Sequence, residues 1–335
     1  MWRKPTLERI LLQEPVCQKR WVALGDGDDQ FQVGPRGQRI VVTGAAGQLG
    51  TYLREELVDA GAEVIGLGHR AGPAIDIAVD IANDQALATS LHDASPDVII
   101  HAAAMTDVDG CETEPHLADR INHLGARNVA NAAVRSGAYL ISVSTDFVFS
   151  GAAPPYLEDA ETDPISTYGA SKRAGEIAVL DASESFAIAR TAWVYGGPGK
   201  HFPRSILNLL AARPDIEVVD DERGNPTFAG DLARALVQLM ALRQSGVVHL
   251  TNDGTASRFE LAREVAALAD LDQERIQPTT VEAFLRTYPM PARRPADSSL
   301  MNTRAAATGV NLRPWRDALA SYVPRLVKEM QSTLA

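Results

Sequence analysis

A tyrosine and a lysine four residues apart, Tyr168 and Lys172, have the types and spacing for acid–base chemistry. On a helix, such a pair lies on one face. A phenol, whose ordinary pKa is about 10, can protonate a carbonyl oxygen as negative charge develops on it. An ammonium group one turn away favours the phenolate and eases the movement of the proton. We therefore predict that Tyr168 is the acid of a ketone reduction and that Lys172 assists it.

A glycine-containing segment, residues 43–50, lies far upstream, between an apolar run and a helical pattern. Residues 39–42 predict a strand, and apolar residues at helical spacing predict a helix over 48–60. A tight turn between them needs the backbone freedom of glycine, and a diphosphate can approach a main chain that lacks side chains. This order of strand, turn and helix predicts a dinucleotide-binding site, with contacts from Gly44, Gly47, Gln48 and Leu49.

The end of the second predicted strand indicates which dinucleotide binds. An acidic residue there would bind the ribose 2′-hydroxyl of NADH, but the chain has His69 and Arg70. A guanidinium group suits a 2′-phosphate, so we predict NADPH, with NADH as the alternative if Arg70 only points into solvent. The small residues Ala102, Ala103 and Ala104 predict a floor beneath the cofactor.

The composition is that of a globular protein with a large core. The chain has 335 residues, of which 45% are hydrophobic and 22% charged, and its formal net charge is −11. That charge argues against a nucleic-acid or anionic-membrane surface, and no apolar run reaches the roughly 18 residues of a membrane span. We expect a cytoplasmic protein. Cys17 and Cys111 predict free thiols, and the histidines lack the spacing of a metal site, so no metal is expected.

From residue 39 onward, strand-like runs alternate with helix-like runs. This alternation predicts an α/β fold, a doubly wound (Rossmann) parallel sheet with helices on both faces. The predicted strands are residues 39–42, 62–67, 97–101, 138–144, 186–194, 216–219 and 247–251. The predicted helices are residues 48–60, 83–92, 115–136, 168–181, 207–212, 229–242 and 316–331.

The same pattern suggests how the chain divides. We expect residues 39–160 and parts of 186–255 to form the dinucleotide-binding domain, because they contain the glycine turn and most of the predicted strands. The remainder of 161–335 is expected to form a smaller C-terminal substrate-binding lobe. Residues 1–38 are an extension of unknown role, for which a hairpin with a short helix and a flexible tail are alternatives.

Read in order, the motifs resemble those of the extended short-chain dehydrogenases and, within them, the dTDP-4-dehydrorhamnose reductases. They are residues 43–50, 101–104, 144–149, 168–172, 190–195, 221–227 and 294–298. Two positions depart from the family pattern, Phe147 in place of Tyr and Glu222 in place of Gln. The resemblance implies an NADPH-dependent oxidoreductase, a homodimer, that reduces the 4-keto group of a nucleotide-activated 6-deoxysugar.

The resemblance also implies roles for individual residues. Lys172 would hold the nicotinamide ribose, and Thr145 would donate a second hydrogen bond to the substrate oxygen, with a helix or turn cap as the alternative. Asp80 and Ile81 would contact the adenine, and Asn122 would support the active site. The expected substrate-binding residues are Thr106, Val108, Asp146, Phe147, Trp193 and Arg293. Trp193 would pack against the sugar, with a place in the core as the alternative. Arg293 and Arg294 could hold a nucleotide diphosphate, with a helix-cap or surface role as the alternative.

Three other functions compete with reduction. Related dehydratases carry an Asp-Glu pair after the threonine, whereas this chain has Asp146 and Phe147, so the loss of the glutamate disfavours dehydration. A nucleotide-sugar epimerase uses the same tyrosine and remains an alternative. A non-catalytic NADP-binding regulatory subunit, like that of methionine adenosyltransferase, is the other, although it would have no reason to keep Thr145, Tyr168 and Lys172.

Overall fold

Residues 34–334 are described by a computed structural model of the chain. Its strands are short, as is usual for a sheet enclosed by helices. In chain order they are β1 Arg39–Thr43, β2 Glu63–Gly68, β3 Ile77–Ala78, β4 Val98–His101, β5 Tyr139–Thr145, β6 Ala187–Thr191, β7 Val194–Tyr195, β8 Ile216–Val219, β9 Arg223–Gly224, β10 Thr227–Phe228, β11 Gly246–His249, β12 Ala256–Ser257 and β13 Ile276–Thr279.

Seven of these strands form one parallel sheet in the order β11-β6-β5-β4-β1-β2-β3. The chain first moves outward from β1 to β3 and then resumes on the other side of β1 with β4. The point between β1 and β4 is therefore a topological switch point, where the carboxyl ends of the strands leave a crevice for a ligand. The predicted doubly wound α/β fold is confirmed.

The α-helices cover the sheet and build the region beyond it. They are α1 Gln48–Asp59, α2 Asp84–Ala94, α3 Val108–Thr113, α4 Pro115–Ala118, α5 Ala126–Ser136, α6 Thr167–Ala182, α7 Phe202–Ala212, α8 Ala229–Ala241, α9 Arg258–Leu268, α10 Val281–Thr287, α11 Thr303–Ala307 and α12 Trp315–Leu334. A π-helical segment, Asp119–Gly125, joins α4 to α5, and 3-10 turns span Asp146–Val148 and Gln273–Arg275.

Each face of the sheet has its own hydrophobic core. On one face, α1 and α8 pack on side chains such as Ile40 and Ile100. On the other, α2, α5 and α6 pack on the alternate residues, among them Val41 and Ile99. Strands buried on both faces are nearly all apolar, which is why the runs around residues 39–42 and 97–101 could be recognised in the sequence.

A third cluster of buried residues lies outside the sheet and joins α7, β8, α9, β13 and α12. Its members include Ile206, Ile216, Leu261, Ile276 and Leu319. This cluster belongs to the part of the chain in which a smaller lobe is expected. The proposed domain boundaries stay a prediction. The hairpin, short helix and flexible tail considered for the N-terminal extension concern residues 1–33, which lie outside the described residues.

The strand prediction differs from the structure in three ways. Residues 216–219 form a strand, but β8 pairs with β13 and not with the central sheet, because Ile216 and Val218 pack against α9. Strand 186–194 is interrupted after Thr191, where Trp193 takes a left-handed φ of 46°. The prediction also missed five strands: two residues show no periodicity in β3, β9, β10 and β12, and β13 contains Pro278. Within residues 34–334, no helix is long and apolar enough to cross a membrane.

Candidate active site

The glycine turn forms a close-packed cradle at the carboxyl end of β1. Gly44 has φ +69°, and a Cβ there would stand 2.9 Å from the Ala103 amide nitrogen. A Cβ on Gly50 would collide with the Gly44 carbonyl oxygen, so only glycine lets α1 pack this closely. Among the described residues, no side chain caps the N-terminus of α1, and its free amide groups can bind phosphate oxygens. The cradle fits a dinucleotide diphosphate.

A buried hydrogen-bond cluster fixes the floor beside this cradle. The Thr43 hydroxyl oxygen accepts from the amide groups of Ala102 and Ala103, both at 3.1 Å, so its own proton is donated to His101 Nδ1 at 2.7 Å. Burial, together with the charge of Lys172, lowers the pKa of His101 to about 3. The imidazole is therefore neutral, and the loop after β4 is held against the turn after β1.

A cavity of about 1120 Å³ opens between the glycine cradle and the ends of β4, β5 and β6. This cofactor-side cavity is lined by every residue that the sequence predicted for the cofactor: Gly44, Gly47, Gln48, Leu49, His69, Arg70, Asp80, Ile81, Ala102, Ala103, Ala104, Tyr168 and Lys172. The large volume suits a dinucleotide better than a small metabolite. The individual contacts of these residues stay predictions.

Two further cationic side chains, which the sequence analysis did not single out, line this cavity. Arg120 forms an ion pair with Asp80, and Lys200 lies on the loop after β7. The Gln48 side chain donates to the Lys200 carbonyl oxygen at 2.8 Å, which holds that loop against the start of α1. No local pattern indicates this contact, because the two residues are 152 positions apart.

Tyr168 and Lys172 lie on α6 and both line the cofactor-side cavity. Ser166 caps the helix by accepting from the Gly169 amide at 3.1 Å, which places Tyr168 in its first turn. Burial raises the pKa of the Tyr168 phenol, and a hydrogen bond with the Thr145 side chain opposes this rise. The sequence led us to expect a cation to favour the phenolate. A raised pKa keeps the phenol protonated at neutral pH, which is the form that can donate a proton, and the assistance expected from Lys172 stays a prediction.

The Lys172 ammonium group is buried beneath the same cavity. Its Nζ donates to the Val143 carbonyl oxygen at 2.8 Å, which leaves two N–H groups for other partners. Burial lowers the pKa of Lys172 to about 8, while the charge of Glu176 raises it. Lys172 is therefore mostly charged at neutral pH, and it lines the cofactor-side cavity.

Thr145 ends β5 and caps the turn that follows it. Its hydroxyl oxygen accepts from the Phe147 amide at 3.2 Å and so caps the 3-10 turn Asp146–Val148. The hydroxyl proton is donated to Asp146 Oδ1 at 3.0 Å. Thr145 also lines the cofactor-side cavity beside Tyr168, so a cap at this position is compatible with a contact to substrate.

Asn122 supports this arrangement from the π-helical segment. Its side chain exchanges hydrogen bonds with the Met105 main chain, at 2.8 and 3.0 Å, and donates to the Ser171 hydroxyl at 3.0 Å. Ser171 immediately precedes Lys172 on α6. Asn122 thus ties the loop after β4 to the helix that carries Tyr168 and Lys172, and π-helical turns are frequent at functional sites.

A smaller cavity of about 370 Å³ adjoins the first. This substrate-side cavity shares five lining residues with the cofactor-side cavity: Thr106, Thr145, Asp146, Tyr168 and Trp193. Its remaining residues are Asp107, Val108, Asp109, Phe147, Arg258 and Arg294. Except for Arg293, the predicted substrate-binding residues therefore line it.

The two neighbouring arginines at the substrate-side cavity are placed differently. Arg293 is exposed and does not line the cavity, whereas Arg294 does line it and forms an ion pair with Asp109 at 2.8 Å. Sequence alone could not separate two adjacent arginines. Arg258 was missed altogether, because its only local signal is that it starts α9 after the capping residue Ser257.

Asp146 is buried where the two cavities meet. Its carboxylate accepts from the hydroxyl groups of Thr145 and Ser298. Burial raises the pKa of Asp146 to about 6, although both hydrogen bonds and the positive charge of Arg258 lower it. Three groups with shifted pKa values, Tyr168, Lys172 and Asp146, therefore surround one cavity, which is typical of a catalytic centre.

The doubly wound sheet has a glycine cradle at its switch point, and a threonine, a tyrosine and a lysine surround the adjoining cavity. This combination defines a short-chain dehydrogenase-type oxidoreductase. The chain belongs to the family described as RmlD substrate binding domain, whose model matches residues 38–328. This agrees with the resemblance seen in the motifs.

Individual relatives are similar over nearly their whole length. The dTDP-4-dehydrorhamnose reductase of Mycobacterium tuberculosis is 40% identical over 294 residues, covering 85% of this chain and 92% of the relative. A probable dTDP-4,6-dihydroxy-2-methyloxan-3-one 4-ketoreductase of Streptomyces antibioticus is 39% identical, covering 86% and 96%. The structure of Bacillus anthracis dTDP-4-dehydrorhamnose reductase in complex with NADP superposes with a TM-score of 0.79 at 34% identity, covering 86% and 99%.

Proposed function

We propose that this protein reduces the 4-keto group of a dTDP-linked 6-deoxysugar with NADPH, as a dTDP-4-dehydrorhamnose reductase does. One observation carries the proposal: Thr145, Tyr168 and Lys172 line the same cavity as the glycine cradle of a dinucleotide. The names of relatives that match at about 40% identity over nearly their whole length support the same reaction. The bound NADP of the Bacillus anthracis relative supports the choice of cofactor.

Tyr168 is proposed to protonate the carbonyl oxygen. When bound, the reduced nicotinamide supplies a hydride to the carbonyl carbon, and the oxygen then needs a proton. The raised pKa of the Tyr168 phenol keeps that proton available at neutral pH. As the phenolate forms, the nearby ammonium group of Lys172 stabilises its charge.

Lys172 and Thr145 are proposed to orient the ligands around that proton transfer. Lys172 has N–H groups to spare beyond its bond to the Val143 carbonyl, and these suit the hydroxyl groups of a ribose. The Thr145 hydroxyl group donates to Asp146 Oδ1, so it must give up this hydrogen bond before it can donate to the substrate oxygen. A protonated Asp146, which can donate in return, would allow this reversal.

The function is tested by offering the purified protein a panel of dTDP-4-keto-6-deoxyhexoses and simple ketones with NADPH or NADH. We expect one NADPH to be oxidised for each nucleotide sugar reduced, measured by the absorbance of the reduced nicotinamide. An epimerase would convert the sugar without net oxidation, and a regulatory subunit would bind NADPH without turnover. Either of these results would reject the reductase.

The preference for NADPH is expected to depend on Arg70. Arg70 lines the cofactor-side cavity, is exposed, and has no hydrogen-bond partner among residues 34–334. Because a charge-assisted hydrogen bond contributes about 1.5–3 kcal/mol, Arg70→Gln should weaken NADPH binding about 10- to 100-fold and leave NADH binding unchanged. Titration of each cofactor measures this.

Arg127→Gln is the matched control, because Arg127 is an exposed arginine on α5 that does not line the cavity. It should bind both cofactors like the wild type. Equal weakening of NADPH and NADH by Arg70→Gln would contradict a contact with the 2′-phosphate.

Three further proposals rest on the sequence and the family resemblance. They are a homodimer, a cytoplasmic location, and a division of the chain into a dinucleotide-binding domain and a substrate-binding lobe. The third hydrophobic cluster, around Ile216 and Leu261, supports the division because it is built without residues of the central sheet.

A further inference from the structure

The indole ring of Trp193 is held from two sides. The Arg258 guanidinium lies on its face, with Cζ 3.4 Å from the ring centroid, well inside the ~6 Å limit of a cation–π contact. The edge of the ring abuts Gly224, where a Cβ would stand 2.6 Å from the indole nitrogen. Since Trp193 lines both cavities, this packing fixes one wall of the proposed active site.

Glu222 holds the guanidinium in place. Arg258 Nε lies 3.1 Å from Glu222 Oε1, and the side chains of Glu222 and Arg258 are only 8% and 20% exposed. The Arg258 amide also donates to the Glu222 carbonyl oxygen at 3.3 Å. An ion pair in such a shielded setting is stronger than one at the surface. The glutamine that the family pattern has at position 222 would keep an acceptor there but lack the charge.

Arg258 has donors left over for a ligand. Glu222 accepts from Nε, and the N–H groups of the two terminal nitrogens have no hydrogen-bond partner in the described part of the chain. Arg258 lines the substrate-side cavity, where its positive charge also reaches the buried carboxylate of Asp146. A guanidinium at a cavity wall with free N–H groups can donate to the oxygen atoms of a ligand.

The charges around the substrate-side cavity indicate which oxygen atoms those are. Three aspartates, Asp107, Asp109 and Asp146, face two arginines there, and each arginine is already paired with a carboxylate. Such a wall is poorly suited to a diphosphate, whose two negative charges need uncompensated cations. It is well suited to a neutral sugar ring, which offers hydroxyl groups to hydrogen-bond and an apolar face to pack on an indole.

We propose that Arg258 binds the hexose ring of the substrate, and that Glu222 is its positioning residue. Glu222 holds the guanidinium flat on Trp193, and the guanidinium and indole together form the wall on which the sugar rests. This inference rests on the proposed function, because it names the part of the nucleotide sugar that the substrate-side cavity takes.

The test compares two probes that differ only in the sugar, dTDP-glucose and dTDP, by calorimetric titration. In Arg258→Met, the affinity for dTDP-glucose is expected to fall about 10-fold, while dTDP and NADPH bind as in the wild type. Glu222→Gln keeps the acceptor without the charge and should lose a smaller part of the dTDP-glucose affinity. Arg258→Lys keeps the positive charge but lacks the planar guanidinium group that stacks on the Trp193 indole, so it is expected to resemble Arg258→Met.

Arg263→Met is the matched control, because Arg263 lies on the same helix, pairs with Glu274 at 2.8 Å and lies over the ring of Phe259 without lining the cavity. It should bind both probes normally. Unchanged dTDP-glucose affinity in Arg258→Met and Arg258→Lys would overturn the proposal. Equal weakening of dTDP would also overturn it, because the guanidinium would then contact the diphosphate.

Calorimetry needs no turnover, so this result is separate from that of the proposed function. A wild-type protein that binds dTDP-glucose but reduces none of the keto sugars would refute the reductase and leave the comparison of affinities valid. A wild-type protein that binds neither dTDP-glucose nor dTDP would contradict both proposals.

Discussion

Replacing Tyr168 with phenylalanine is expected to abolish NADPH-dependent reduction of a dTDP-4-keto-6-deoxysugar. The change removes only the phenol oxygen, from a side chain that is 9% exposed and packs edge-to-face on Phe147. Because a positioned general acid contributes about 10²- to 10⁴-fold, kcat should fall by that factor. NADPH affinity should change little, since the ring still fills its place. Steady-state kinetics and cofactor titration measure the two quantities.

Tyr288→Phe is a suitable control, because Tyr288 is 46% exposed at the end of α10 and lines neither of the two cavities. Its turnover should equal that of the wild type. If Tyr168→Phe kept full turnover, Tyr168 could not be the acid, and another donor near the carbonyl oxygen, with Thr145 the first to examine, would have to take that role.

Lys172→Met is expected to lower activity and raise stability at neutral pH. Activity should fall about 10²-fold or more and NADPH should bind more weakly, since Lys172 is proposed to hold the ribose and stabilise the phenolate. Stability should rise because burial disfavours the charged lysine in the folded protein, whose pKa is about 8 against 10.5 ordinarily. The gain is on the order of 1–2 kcal/mol at pH 7, after the cost of leaving the Val143 carbonyl unpaired.

The lowered pKa of Lys172 also predicts how the free energy of unfolding changes with pH. Below pH 8 the lysine is charged in both states, and the full cost of burying that charge falls on the folded protein. Between about 8 and 10.5 the unfolded chain binds more protons than the folded one, so the free energy of unfolding of the wild type rises with pH. Lys172→Met should lack that rise.

Denaturant unfolding of the cofactor-free proteins at pH 7 and pH 10 measures the difference. Lys328→Met, at an exposed position of α12, should track the wild type at both pH values. If Lys172→Met were less stable than the wild type at pH 7, the bond to the Val143 carbonyl would outweigh the cost of burying the charge.

The sequence predicted the features that depend on neighbouring residues. The strand–turn–helix of residues 39–60 follows from local periodicity and glycine spacing, and parallel topology brings the ends of β1, β4 and β5 together. For that reason Gly44, Thr145 and Lys172 could be assigned to one site without coordinates. The structure places all three around one cavity, while their individual roles stay predictions.

What could not be predicted depends on contacts between distant parts of the chain. Asp146 is bonded to Ser298, 152 positions away, and Arg258 to Glu222, 36 positions away. Side chains at these separations meet only through the tertiary fold, and no local pattern indicates such contacts. The effect of burial on the pKa of Tyr168 could not be predicted for a related reason, since burial depends on the whole fold and spacing indicates only the nearest charged neighbour.

Five residues line both cavities, so the two spaces lie side by side. Under the proposed function, a single synthetic compound that joins a nicotinamide analogue to a deoxysugar nucleotide by a short tether would occupy both cavities at once. Once one half is bound, the other is held at an effective concentration in the millimolar range, so such a compound can exceed the affinity of either half by about 10²- to 10⁴-fold. The junction at Thr145 and Tyr168 is thus the place through which the tether of a bisubstrate inhibitor would pass.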